Sequence, residues 1–213
     1  MAETEAHEGT TPEAVEPHRS FRLALGHDDV VFLRRARKDD GVAFRRSVRA
    51  SRDLHRPWVS PPATPDAYEN WLRASRKDDR DSVVVCRIED GALVGVFNLS
   101  EIVRGGFQSA YMGYYAFIPH AGQGLMSAGL QLVLAHAFTD VKLHRLEANV
   151  QPGNSESVLL VQRAGLRREG YSPNYLKVAG KWCDHERWAI TVEDWRAQLR
   201  RAAADERRRL EGF

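Results

Sequence analysis

The segment Ala121-Gly122-Gln123-Gly124-Leu125-Met126 constrains this chain more than any other. The residues before it, Tyr111 to Ile118, predict a strand, and the apolar-periodic run after it predicts a helix to about Phe138. A strand that turns through two glycines into a helix aims free backbone N–H groups and the positive end of a helix dipole at one point. That point favours an anion, most often a phosphate. Two glycines also remove the Cβ atoms that would keep a diphosphate from the backbone. Residues 122–127 are therefore the expected site of a phosphorylated ligand, against the alternative of a glycine-rich connection that holds nothing. The dinucleotide fingerprint G-x-G-x-x-G fails because Ser127 stands at its third glycine and two or more strands precede the turn. The G-x-x-x-x-G-K-[ST] loop of NTPases is absent.

Along the chain, residues 1 to about 20 are acidic, lack apolar periodicity and read as a disordered tail. Val30 to Arg35 predicts a strand, and Lys38-Asp39-Asp40 opens a helix carrying Val42, Phe44 and Val48. Leu54 to Pro62 reads as irregular, and Thr64-Pro65-Asp66 starts a capped helix. Strands over Val83–Ile88 and Ala92–Ile102 are joined by Glu89-Asp90-Gly91, a hairpin signal. Ser109 to Ile118 returns as a third consecutive strand. After the glycine helix come a strand at Arg145–Val150, a helix at Asn154–Ala164 closed by Gly165, and a final hairpin from Tyr175–Val178 to Lys181–Ile190. The order β-α-α-β-β-β-α-β-α-β-β is an α+β pattern.

A chain of 213 residues suits one domain with tails, and 43% hydrophobic and 28% charged residues are ordinary for a soluble globular protein. A net charge of +2 does not by itself argue for nucleic-acid binding. No run approaches the roughly 18 apolar residues of a membrane span, and no signal peptide is visible. Cys86 and Cys183 lie far apart and suggest no disulfide framework, so a cytoplasmic location is expected. Cys183-Asp184-His185-Glu186 does not read as a metal site, because successive strand residues alternate faces. No metal is expected.

These residues resemble the GNAT superfamily of acyl-CoA-dependent N-acetyltransferases. The cofactor motif Q/R-x-x-G-x-G/A falls on Ala121 to Met126, with Ala121 replacing Gln or Arg and Met126 replacing a small residue. A second motif supplies Asn154, Ser157 and Ala164-Gly165-Leu166. Met112-Gly113-Tyr114, His144-Arg145-Leu146, Glu169-Gly170-Tyr171, Tyr175-Leu176, Gly180-Lys181-Trp182, Asp184-His185 and Asp194-Trp195 look like the Rim type, the ribosomal-protein-alanine N-acetyltransferases. The resemblance implies a GNAT fold over residues 28–195: a mixed central sheet with antiparallel N-terminal strands, splayed between two central strands and flanked by helices. A basic C-terminal helix would fill 196–213. It also implies acetyl-CoA as cosubstrate, held by Phe117, Ile118, Gly122, Gln123, Gly124, Leu125, Met126, Ser127, Asn154 and Ser157. The acceptor implied is a protein N-terminus, of a ribosomal protein beginning with Ala or Ser. A small-molecule amine as acceptor, and a ribosome-associated binding protein that has lost catalysis, are the alternatives; monomer and homodimer both stay open.

Acetyl transfer needs a neutral amine, and an α-amino group, with a reference pKa of about 7.7–8.0, requires only a modest proton sink. Glu147 is the candidate base, against a surface Glu in an alternating strand with ordered water in its place. Ser157 matches a thiol-side hydrogen-bond donor, or simply caps its helix, as Asn154 also would. Backbone N–H groups near Ala116, Phe117 and Ile118 are candidates for the oxyanion. Trp58 resembles an acceptor-side wall or is a core Trp. Tyr114 and Tyr115 point to opposite faces, one toward the core and the other toward the acceptor. Asn174 and Tyr175 fall where related enzymes place a carboxylate, and an amide cannot replace it as a base. A polyamine acceptor would want clustered carboxylates, yet segments 52–63 and 171–177 offer only Asp53. The arginines at 200, 201 and 207–209 make a solvated helix face or a contact for ribosomal RNA or another acidic partner.

Overall fold

The computed structural model describes residues 30–212, so the acidic tail lies outside the described residues. Strand β1 (Val31–Arg35) leads through a single 3-10 turn into α1 (Gly41–Ala50), the short α2 (Arg52–His55) and α3 (Pro65–Ala74). Thr64 caps α3 by accepting from the Ala67 amide, with Pro65 in the first turn as its sequence signals. Strands β2 (Asp81–Arg87), β3 (Leu93–Val103) and β4 (Ser109–Ala116) follow, then α4 (Leu125–Thr139), β5 (Arg145–Val150) and α5 (Ser155–Arg163). The chain finishes with β6 (Arg167–Val178), β7 (Lys181–Thr191) and α6 (Val192–Glu211).

The strands form one seven-stranded sheet in the order β1-β2-β3-β4-β5-β7-β6. All neighbours run antiparallel except β4 and β5. Alternation along each strand divides two cores. On one face Leu33, Val83, Val85, Phe97, Met112 and Leu146 pack with α4, α5 and the start of α6, where Phe138 meets Trp195 at 5.5 Å between ring centroids. Gly129 lets α4 approach closely, since a Cβ there would stand 2.9 Å from Val85. On the opposite face Phe44, Tyr68, Val84, Val96, Tyr115 and Phe117 cluster beneath α1 and α3. Cys86 is buried in this second core, where burial pushes its thiol up to about 11.

Several boundaries differ from the sequence expectation. The region expected to be irregular after Leu54 holds the end of α2, and α1 starts at Gly41 rather than Lys38. Strand β4 stops at Ala116 instead of Ile118, and β6 starts at Arg167, eight residues before the expected Tyr175. The last case has a physical reason: β6 is an edge strand whose residues are almost all partly or fully exposed, so it carries no apolar alternation. The helix expected over 196–213 begins at Val192, capped reciprocally by Thr191 and Asp194.

Candidate active site

The parallel strands β4 and β5 share register only at Ser109–Tyr111 against Arg145–Glu147. Beyond that, β4 stays on β3 through Ala116, and β5 stays on β7 through Val150. A V therefore opens between residues 112–116 and 148–150. Each strand runs on from this end into a helix, β4 into α4 and β5 into α5.

The glycine turn lies on the path from β4 to α4. Gly122 and Gly124 sit at φ +76 and +80, and Gly124 is the helix N-cap, supplying no side-chain bond. The amides of Ser127 and Ala128 both return to the Gly124 carbonyl, at 2.9 and 3.1 Å. The amides of Ala121 to Met126 donate to no protein acceptor among the described residues. A Cβ on Gly122 or Gly124 would meet nothing within 4 Å, so the space beside these amides is open. Six unpaired donors at a helix N-terminus, with that open space, fit a diphosphate. Gln123 folds back to donate to the Pro119 carbonyl at 2.7 Å. Met126 turns inward, and Gly95 makes room for it: a Cβ on Gly95 would stand 2.5 Å from the Met126 sulfur. The departure from a small residue at position 126 is thus matched by a glycine on β3.

On the α4–α5 face, Asn154 caps α5 by accepting from the Ser157 amide at 3.3 Å. The Ser157 hydroxyl and the Tyr114 phenol share a hydrogen bond at 2.5 Å, and the phenol also donates to the Ser157 carbonyl at 3.3 Å. Burial pushes the Tyr114 hydroxyl up to about 12, so it remains protonated. This pair spans from β4 to α5.

The opposite face carries the other candidates. Tyr115 is buried in the aromatic cluster, its ring 5.7 Å from Phe117. Trp58 is half-buried; its ring lies against Gly153, and its carbonyl accepts from Gln151 Nε2 at 3.2 Å. The loop after α2 therefore reaches the end of β5. Glu147 accepts from Arg145 Nε at 2.9 Å through Oε1. Arg145 also binds Glu169, which with Asp194 is bound by Arg167. Tyr111 stands in register with Glu147. Its hydroxyl is pushed up to about 12 by a hydrogen bond to Tyr175, then by burial and the charge of Glu147. Tyr175 arrives from a break in the β6–β7 register between Ser172 and Leu176. Within it Asn174 adopts φ +48, with its amide donating to Asp184 at 2.8 Å, and Asp184 also accepts from the Tyr171 hydroxyl.

The fold thus gathers Glu147, Tyr175 and Trp58 on one face of the V and Tyr114, Asn154 and Ser157 on the other. Two expected oxyanion donors are engaged elsewhere. The Phe117 amide donates to the Val94 carbonyl at 2.7 Å, and the Ile118 amide to Ser51 Oγ at 3.0 Å. Alternation in an antiparallel ladder then directs the Ala116 N–H and C=O away from β3, toward the V. Sequence reasoning missed Tyr111 and Asp184. The first needs the parallel register of β4 and β5, and the second needs the register break of β6.

Residues 31–167 match the model of the Acetyltransferase (GNAT) domain. The chain is 36% identical over 107 residues to the ribosomal protein uS5-alanine N-acetyltransferase of Escherichia coli, covering 50% of this chain and 55% of that protein. It is 36% identical over 118 residues to the probable N-acetyltransferase YjcK of Bacillus subtilis, covering 55% and 65%. The match therefore spans between about half and two thirds of the length of these curated relatives. The solved structure of Mycobacterium smegmatis RimJ in complex with CoA-disulfide superposes with a TM-score of 0.71 at 32% identity, over 77% of this chain and 83% of that one. Spermidine N-acetyltransferase from Vibrio cholerae, in complex with CoA and spermine, shares the fold at 21% identity and a TM-score of 0.68, over 79% of this chain and 99% of that one. This chain belongs to the GNAT acetyltransferase family.

Proposed function

We propose that the protein transfers the acetyl group of acetyl-CoA to the N-terminal α-amine of a protein, with a ribosomal protein beginning with Ala or Ser as the acceptor. The observation that carries the first half is the V between β4 and β5 with six unpaired amides at its mouth. The amides of residues 121–126 would hold the diphosphate, Ser127 having returned its own to the Gly124 carbonyl, and Asn154 and Ser157 the arm that follows. Acetyl-CoA supplies an activated thioester; positioning and proton handling fall to the chain.

The amine approaches from the face of Trp58, Tyr111 and Tyr175. Its proton passes to Glu147, whose Oε2 is left over once Oε1 has accepted from Arg145. The nitrogen then bonds to the carbonyl carbon as the carbon–sulfur bond breaks. The Ala116 N–H would donate to the developing oxyanion. The Ser157 hydroxyl, backed by Tyr114, gives a hydrogen bond to the departing sulfur, which takes up the remaining proton shed by the nitrogen and leaves as the CoA thiol.

The acceptor half rests on charge. The carboxylates of this face are committed to arginines, Glu147 to Arg145 and Glu169 to Arg145 and Arg167. Asp184 holds the Asn174 amide and the Tyr171 hydroxyl. A polyamine, with several cationic centres, finds no uncompensated acidic cluster here among the described residues, whereas a single α-amine needs none. The similarity to the uS5-alanine enzyme and to RimJ supports the same choice. Release of CoA thiol should occur with peptides beginning in Ala, Ser or Thr and not with spermidine. Turnover of spermidine alone would move the protein to small-molecule acetylation.

A further inference from the structure

Two buried polar side chains beside the V take no part in the chemical steps of acetyl transfer. Ser51 is 1% exposed and His55 4%, four residues apart at either end of α2. Ser51 Oγ accepts the Ile118 amide at 3.0 Å while donating to the Ser47 carbonyl at 2.7 Å. His55 Nε2 lies 2.7 Å from the Ala116 carbonyl. A carbonyl only accepts, so Nε2 carries the hydrogen, and Nδ1 of the neutral ring is left bare. That Nδ1 is buried and has no partner among the described residues. Leaving it so carries a desolvation cost that a leucine of similar size would avoid. The cost is accepted at the one place where both bonds reach residues 116–118, the link from the V to the glycine turn.

We propose that Ser51 and His55 are positioning residues for acetyl transfer, clamping the Ala116–Ile118 segment so that the Ala116 N–H faces the thioester carbonyl. This inference rests on the acetyl-transfer reading above. His55 fixes the Ala116 carbonyl on the V side of β4, and Ser51 fixes the amide two residues later. Between them Phe117 is held by Val94, so three consecutive residues are pinned from two directions.

The clamp needs a neutral imidazole. Burial lowers the His55 pKa below its ordinary 6.5, more than its bond to Ala116 raises it. Its ring faces Tyr115 at 5.5 Å and Phe117 at 6.2 Å. Tyr68 of α3 belongs to the same cluster, Glu147 of β5 is paired to Arg145, and Arg52, Asp53 and Arg56 around His55 are exposed. In acid a proton on Nδ1 would place a charge among these rings with no carboxylate against it, and the clamp would open.

The test is steady-state kinetics of the full chain with acetyl-CoA and an Ala-initiated peptide, for wild type, His55→Leu, His55→Gln and Ser51→Ala. His55→Leu should lower kcat about 10-fold to 10²-fold, the scale of a misplacement near 1 Å, with KM for acetyl-CoA held within about twofold. Ser51→Ala should act in the same direction. His55→Gln, whose amide N–H can reach the same carbonyl, should recover most of kcat, and the ratio of wild-type to His55→Gln activity should fall below pH 6.5, where only wild type has an imidazole to protonate. A urea midpoint for each variant separates unfolding from misplacement, and the folded variants decide. Wild-type kcat in His55→Leu, or the same acid limb in His55→Gln as in wild type, would overturn the clamp alone. No turnover by wild type with any amine would overturn the acetyl-transfer reading and the clamp with it.

Discussion

Replacing Gly124 by alanine isolates the backbone geometry on which the phosphate site depends. Gly124 sits at φ +80, and a methyl group added there would meet nothing within 4 Å, so steric clash is not the issue. The left-handed conformation costs an L-residue roughly 1–2 kcal/mol. If the free turn relaxes to escape that cost, binding must restore it, and CoA affinity falls by about 5-fold to 30-fold, at 1.4 kcal/mol per tenfold. If the turn stays, the cost appears in stability, offset by about 0.4–1 kcal/mol from the stiffer unfolded chain. Gly180 is the matched control: φ +84, equally open, and at the tip of the β6–β7 hairpin. Titration calorimetry with CoA and urea unfolding, run on Gly124→Ala and Gly180→Ala, separate the two effects. Gly124→Ala should lose CoA affinity and Gly180→Ala should keep it. A Gly124→Glu variant that folds and still binds CoA as tightly as wild type would refute the turn as the phosphate site, because the space beside Gly124 is open and a carboxylate there would face the diphosphate whether the turn stays or relaxes.

Three further outcomes follow from named contacts. Glu147→Gln should lower kcat about 10²-fold at pH 7 and much less at pH 9, where an α-amine of pKa about 7.7–8.0 is already neutral; a uniform loss across pH would point to packing. Ser157→Ala should lower kcat roughly tenfold with little change in acetyl-CoA KM, if the hydroxyl serves the departing sulfur rather than ground-state binding. His136, bonded to Asp81 at 2.9 Å and Asp140 at 2.8 Å, staples α4 to β2. Burial opposes its charge, but the two carboxylates outweigh burial and raise its pKa above 6.5, while His136 holds Asp81 below 3.8 despite burial. The His136 contribution is therefore full below 6.5 and is lost as pH rises through the raised folded value. The Asp81 contribution is full above 3.8 and is lost as pH falls through the lowered one. Urea unfolding of Asp81→Asn against wild type should show a deficit of roughly 3 kcal/mol between these limits, shrinking on either side.

The parts of this molecule legible in the sequence are those whose signal is local. The glycine turn, the Thr64-Pro65 cap and the β2–β3 hairpin depend on neighbours in the chain, and each lies where the residues place it. Residues 167–174, Arg-Arg-Glu-Gly-Tyr-Ser-Pro-Asn, carry no strand signal because an edge strand needs none, and Pro173 falls in the register break where no ladder bond is required. His55 is hidden by its charged neighbours Arg52, Asp53 and Arg56, which make a short turn look solvated. The partnership of Tyr111 with Glu147 depends on a three-rung parallel ladder between strands separated by a helix. No pattern along either strand encodes that register.

The most direct measurement offers the protein acetyl-CoA and one peptide carrying both a free α-amine on Ala and an internal lysine, then locates the added acetyl group by tandem mass spectrometry. The account predicts acetyl on the N-terminal alanine and none on the lysine, with one CoA thiol released per acetyl transferred. Acetyl on the lysine alone, with the α-amine untouched, would contradict it.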